Sequence, residues 1–140
     1  LVHSSVPCAA NLLRESKTPM MLGDKQRLFA LLIGKFLVWC YDNDYEVTFG
    51  EALRTQAQAD LNAKTGAGIS NSLHLKKLAI DLNLFLDVSV ESDEDVYQKA
   101  SEAYRPLGEK WESMHPLCRW GGRFSRPDGN HFSMEHEGVK

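Results

Sequence analysis

Between Leu78 and Leu86 large apolar side chains occupy every second position, and this alternation constrains the fold more than any other stretch of the chain. Leu78, Ile80, Leu82, Leu84 and Leu86 share one face of a strand predicted over Leu78 to Val90, while Ala79, Asp81, Asn83 and Phe85 share the other. The aliphatic face must be covered. The opposite face carries a carboxylate in mid-strand, and an unpaired buried carboxylate is costly enough to protonate instead. Asp81 therefore needs water, a cation or a partner group.

The elements around this strand predict an α+β fold, a small antiparallel sheet flanked by helices. Asp24 is placed to cap a helix running to about Tyr41, with Leu28, Leu31, Leu32, Lys35, Phe36 and Trp39 as its core side. Tyr45, Val47 and Phe49 alternate with Glu46 and Thr48, the pattern of a half-buried strand. Thr55 to Lys64 forms a short helix stopped by glycine within Thr65-Gly66-Ala67-Gly68, and Ile69 to Leu75 follows as a polar loop. Ser92-Asp93-Glu94-Asp95 opens a helix from about Asp93 to Tyr104, disturbed at Pro106 and resumed to about Met114. Trp120 to Phe124 and Arg126 to Asn130 are loop and turn, and His131 to Glu135 is a short strand with His131, Ser133 and Glu135 on its polar side.

At 140 residues the chain is the size of one domain. Residues 20–140 are assigned to it. Residues 1–19 begin without Met and precede Met20-Met21, so they are set aside as a tail that need not be native. A net charge of -3, with Lys76-Lys77 as the longest basic run, offers no field for holding nucleic acid. Cys8, Cys40 and Cys118 are odd in number and widely spaced, which indicates neither a disulfide framework nor a thiolate metal site. The longest apolar run, Leu28 to Cys40, is too short for the ~20 residues of a membrane span, and no stable membrane association is expected.

Histidines supply the remaining chemistry. His74 lies seven residues before Asp81, and His131 follows Asp128 by the length of a four-residue turn. Two imidazoles and one carboxylate are the ligand types of an open catalytic zinc site. Composition does not choose the pair, because His3, His115 and His136 are equally eligible, and Asp128-Gly129 also reads as an ordinary hairpin turn.

The order of the motifs is more specific. Ser72-Leu73-His74-Leu75-Lys76-Lys77-Leu78-Ala79-Ile80-Asp81-Leu82 resembles the S-x-H-x-x-G-x-A-x-D-L signature of the zinc-dependent D-Ala-D-Ala carboxypeptidase and L-alanyl-D-glutamate peptidase family. Trp120-Gly121-Gly122-x-Phe124 and Asp128-Gly129-Asn130-His131-Phe132 resemble its W-G-G and D-x-x-H-F elements, in the same order. The similarity runs from about Leu22 to Glu135 and is strongest to phage endolysins that cut peptidoglycan stem peptides.

This resemblance implies one Zn2+ per chain at one face of the sheet, held by His74, Asp81 and His131, with Asp128 as general base. It also implies a substrate-binding and catalytic role for Arg54, and a substrate-binding role for Ser72 near the metal. Trp120 is expected to be a wall of the core or cleft. Lys77 stands where the family has glycine, which would strain the loop if that position needs a positive backbone angle. The implied activity is that of an L-alanyl-D-glutamate endopeptidase. A D-Ala-D-Ala carboxypeptidase and an inactive wall-binding module are the alternatives. The implied setting is a monomer made in the bacterial host cytoplasm that reaches the cell wall through membrane lesions made by another protein.

Overall fold

The computed structural model describes residues 19–69, 71–86 and 96–140. Helix α1 (Leu22–Asp42) begins at Met21 without a side-chain cap, while Asp24 lies in its first turn and pairs with Arg27. Its buried stripe is Leu28, Phe29, Leu32, Ile33, Phe36 and Cys40. The predicted stripe was rotated by part of a turn, since Lys35 is exposed and Leu31 and Trp39 are only half-buried. Residues 43 and 44 turn the chain into strand β1 (Glu46–Phe49), where Phe49 points into solvent instead of sharing a buried face with Val47.

Helix α2 (Gln56–Thr65) follows the sequence expectation. The Thr55 hydroxyl accepts from the Gln58 N–H at its start, and Gly66 ends it in the left-handed conformation. The segment predicted as a polar loop instead contains a single 3-10 turn, Leu73–Lys76. Strand β2 (Ala79–Phe85) keeps the predicted alternation, with Leu82 and Leu84 fully buried. The rest of the predicted strand to Val90 and the acidic helix start at 92–95 lie outside the described residues.

The helix predicted to Tyr104 does not reach it, because Tyr97 bridges to Phe85 of β2. A 3-10 turn, Ser101–Tyr104, leads into helix α3 (Arg105–Met114). Pro106 falls in the first turn of α3, where its missing N–H has no partner to lose, so proline starts this helix instead of disturbing one. Strand β3 (Cys118–Trp120) takes up Trp120, which was predicted in a loop, and strand β4 (His131–Met134) follows the turn at Asp128.

The four strands form one antiparallel sheet in the order β1-β2-β4-β3. Helices α1 and α3 cover one face: Phe36 meets Trp111 at 5.5 Å and Phe132 at 5.1 Å between ring centres, and Phe29 meets Trp111 edge-on. β4 keeps the predicted alternation, with Phe132 packed on Phe36 and Trp111 and His131 beside Asp81 on the other face, but all four of its residues are buried, Ser133 included. Cys40 and Cys118 belong to the core, where burial pushes both thiols up to about 12. Among the described residues no helix is long and apolar enough to cross a membrane.

Candidate metal centre

The face of β2 turned away from α1 and α3 carries Asp81. In the sheet register Asp81 lies directly opposite His131, so the first residue of β4 delivers its imidazole beside the carboxylate. The 3-10 turn supplies the second imidazole. Ser72 Oγ accepts the His74 N–H at 3.3 Å, which caps that turn and fixes where His74 leaves the backbone. The chain then reverses at Lys77, whose φ of +56° lies in the left-handed region. The strain anticipated at this position is therefore present, though at a residue that bears no ligand.

The three side chains converge on one point. His74 Nε2 lies 3.3 Å from Asp81 Oδ1, and His131 Nδ1 approaches the same oxygen at 3.3 Å. One ligand atom from each residue falls within 4.8 Å of the others, and among the described residues this is the group with such a geometry. His74 Nδ1 donates to the Ala52 carbonyl at 3.2 Å, which leaves Nε2 as the inward-facing nitrogen. Both histidines are buried, and His131 Nε2 has no protein partner. His115 and His136 are engaged elsewhere: His115 Nδ1 accepts the Leu117 N–H, and His136 Nδ1 lies 3.2 Å from Lys25 Nζ.

The donor set fits zinc. Ligands at ~2.0–2.2 Å from a tetrahedral ion stand ~3.3 Å apart, the separation at which both imidazoles meet Asp81. Two nitrogens and one carboxylate also leave a fourth position open. The electrostatics already favour a charged cluster. Burial alone would raise the Asp81 carboxyl, but hydrogen bonds and charge from His131 and His74 bring it down to about 2. For His74, burial acts to lower the pKa; the Asp81 hydrogen bond and charge, the Ala52 carbonyl and Glu51 outweigh it and raise the pKa.

Asp128 sits on the rim, three residues before His131. The His131 N–H donates to the Asp128 carbonyl at 3.1 Å, the turn that the spacing predicted. Two hydrogen bonds with the Trp120-Gly121 segment hold this turn. Trp120, fully in the core, donates its indole N–H to the Gly129 carbonyl at 2.7 Å, and Asp128 N–H donates to the Gly121 carbonyl at 2.9 Å. A Cβ at Gly121 would collide with the Asp128 carbonyl, and one at Gly122 with the Trp120 ring, so both glycines are required by close approach. The Asp128 carboxyl opens to solvent but is crowded enough that loss of hydration raises its pKa; Asp81 adds to this, while His131, His74 and Arg54 oppose it.

A cleft of ≈ 450 Å³ joins these groups, lined by His74, Asp81, Asp128, His131, Arg54 and Ser72 among others. Arg54 enters from the segment after β1, with its side chain largely buried and paired to Glu51. Glu51 was not anticipated from the sequence. It belongs to no motif, and one of its partners, His74, is 23 positions away in the sequence.

Residues 65–134, half of the chain, match a family model described as D-alanyl-D-alanine carboxypeptidase. The fold is similar to the crystal structure of the Serratia marcescens L-Ala D-Glu endopeptidase ChiX, with a TM-score of 0.57 and 18% identity over 87% of this chain and 92% of that chain. No curated protein matches the sequence.

Proposed function

The chain belongs to the D-alanyl-D-alanine carboxypeptidase family of zinc-dependent hydrolases that act on peptidoglycan peptides, and from that premise we propose that it is an endopeptidase cutting the stem peptide between L-Ala and D-Glu, acting as a phage endolysin in host lysis. The observation that carries the catalytic part is the meeting of His74 and His131 on one oxygen of Asp81 in the wall of an open cleft. The fold likeness to an L-Ala D-Glu endopeptidase supports the choice of bond.

In this reading His74, Asp81 and His131 hold one zinc. Bound zinc supplies Lewis acidity, polarising the scissile carbonyl and bringing the pKa of water down to ~7. Asp128 then does the proton work. Its carboxylate, whose pKa is raised by loss of hydration, takes a proton from the attacking water and returns it to the leaving amine. Arg54, held in the cleft wall by Glu51, pairs with a carboxylate of the stem peptide and fixes the scissile bond over the metal-binding residues. Ser72 acts on the site through the backbone of His74, which it caps. We place the protein as a monomer made in the host cytoplasm, reaching the wall through membrane lesions made by another protein.

The family description favours a second reading, trimming of the terminal D-Ala. Mass analysis of digested muropeptides separates the two. Products that begin at D-Glu are expected; loss of a single D-Ala with the L-Ala–D-Glu bond intact would establish the carboxypeptidase instead.

A further inference from the structure

One residue outside the ligand set touches the site at three points. Glu51 follows β1, and its carbonyl accepts the Asp81 N–H at 2.8 Å, so its backbone helps to fix the strand position that carries the carboxylate ligand. Its carboxylate pairs with the Arg54 guanidinium, three residues on. The same oxygen, Oε1, lies 3.6 Å from His74 Nδ1, on the side of the ring opposite the metal-facing nitrogen. Glu51 is two-thirds shielded from solvent and Arg54 more so, which keeps their attraction from being screened as a surface pair would be.

These contacts act on two different groups. At His74, an anion beside Nδ1–H adds to the pull of the Ala52 carbonyl, holds the proton on that nitrogen and makes Nε2 a stronger donor toward a cation. At Arg54, the same anion fixes a long, flexible side chain in the cleft wall, so that less rotamer freedom remains to be lost when a substrate carboxylate arrives. Arg54 is also tied through its backbone, since its N–H donates to the His74 carbonyl at 3.2 Å. The Glu51 side chain thus links the metal-holding and substrate-holding halves of the cleft.

We infer that Glu51 is a positioning residue for the hydrolysis, orienting His74 for the metal and Arg54 for a substrate carboxylate through one carboxylate oxygen. The inference rests on the metallopeptidase reading above and adds a residue to it.

The test uses the full chain with Glu51→Gln, Arg54→Ala and the double substitution. Zinc affinity is measured by competition with a chromophoric chelator, kcat and KM on purified muropeptides, and melting temperature without metal. Glu51→Gln, which keeps the shape and removes the charge, is expected to weaken zinc binding about tenfold, the lower end of the range for outer-shell partners of metal ligands. It should also raise KM more than it lowers kcat. Arg54→Ala should raise KM while binding zinc at least as tightly as the parent. The KM of the double variant should match that of Arg54→Ala alone, because Glu51 acts on substrate only through Arg54. A Glu51→Gln variant with unchanged zinc affinity and KM, whatever its melting temperature, overturns the inference, as do KM effects that multiply. A parent chain that binds no zinc would instead refute the metallopeptidase reading, so the two failures are distinct.

Discussion

The two faces of β2 differ in what holds them. On one, Leu82 and Leu84 are sealed beneath α1 and α3, and any large apolar side chain of the right volume would serve. On the other, Asp81 makes a small set of directional contacts with His74 and His131, and no other side chain would reproduce them. The first face carries stability through area and packing. The second carries chemistry through position, and depends on the first only for the rigidity of the strand between them.

The sharpest way to break this contrast is to alter one residue on the polar face without changing its size. Asp81→Asn removes the anionic ligand and keeps the shape, so zinc binding should be lost and hydrolysis should fall to background while the far-ultraviolet circular dichroism is unchanged. Retained zinc at one per chain, measured by atomic absorption after dialysis, would take Asp81 out of the ligand set. Next in size is Asp128→Ala. It removes the proton carrier from the rim and leaves the three ligands untouched, so kcat should fall by roughly 10²–10⁴ with zinc content preserved. Equal loss of metal and activity would mean that Asp128 serves the ion instead of the proton.

These two carboxylates were unequally legible before the fold was known. The period of two in β2 placed Asp81 opposite the leucines without any knowledge of neighbours, because strand geometry is local. That His74 and His131 would join it was legible only through the ordered motifs, since five histidines are eligible by composition and the pairing of β2 with β4 spans 50 residues. Glu51 was invisible for the same reason: its partner His74 lies 23 positions away and no motif links them. The errors in secondary structure also have local causes. Pro106 reads equally as a breaker or a first-turn residue, and Trp120 beside two glycines reads as a loop until β4 pairs with it. The left-handed cap at Lys77 was legible as a question, through the glycine missing from the motif, and its answer required the backbone.

On the apolar face the expected effect is on stability alone. Leu84 is fully buried three residues from Asp81, and Leu84→Ala should destabilise the chain by about 2–5 kcal/mol through lost burial and the cavity left behind. Folded variant should still bind one zinc per chain. Chemical denaturation with the metal absent, followed by zinc titration of the folded protein, measures both quantities. A loss of zinc affinity as large as the loss of stability would show that the two faces are coupled more tightly than their division of labour implies.

The smallest effect is expected where the two kinds of constraint meet, at Lys77. This residue ends the turn that carries His74 and leads into the strand that carries Asp81, and it does so at φ +56° and ψ +36°. A side chain bearing a Cβ loses roughly 1–2 kcal/mol in that conformation, whereas glycine adopts it freely but gives up about 0.5–1 kcal/mol more conformational entropy on folding. The Lys77 side chain is exposed, so little packing is lost with it. Lys77→Gly should therefore stabilise the metal-free protein by about 0.5–1 kcal/mol, a rise of roughly 2–4 °C in Tm for a chain of this length. kcat, KM and zinc affinity should stay within twofold, because the turn geometry is already the one glycine prefers. A fall in Tm would mean that the lysine side chain stabilises the turn by more than its backbone strain costs; a change in zinc affinity at constant Tm would mean that this strain helps to set the position of His74.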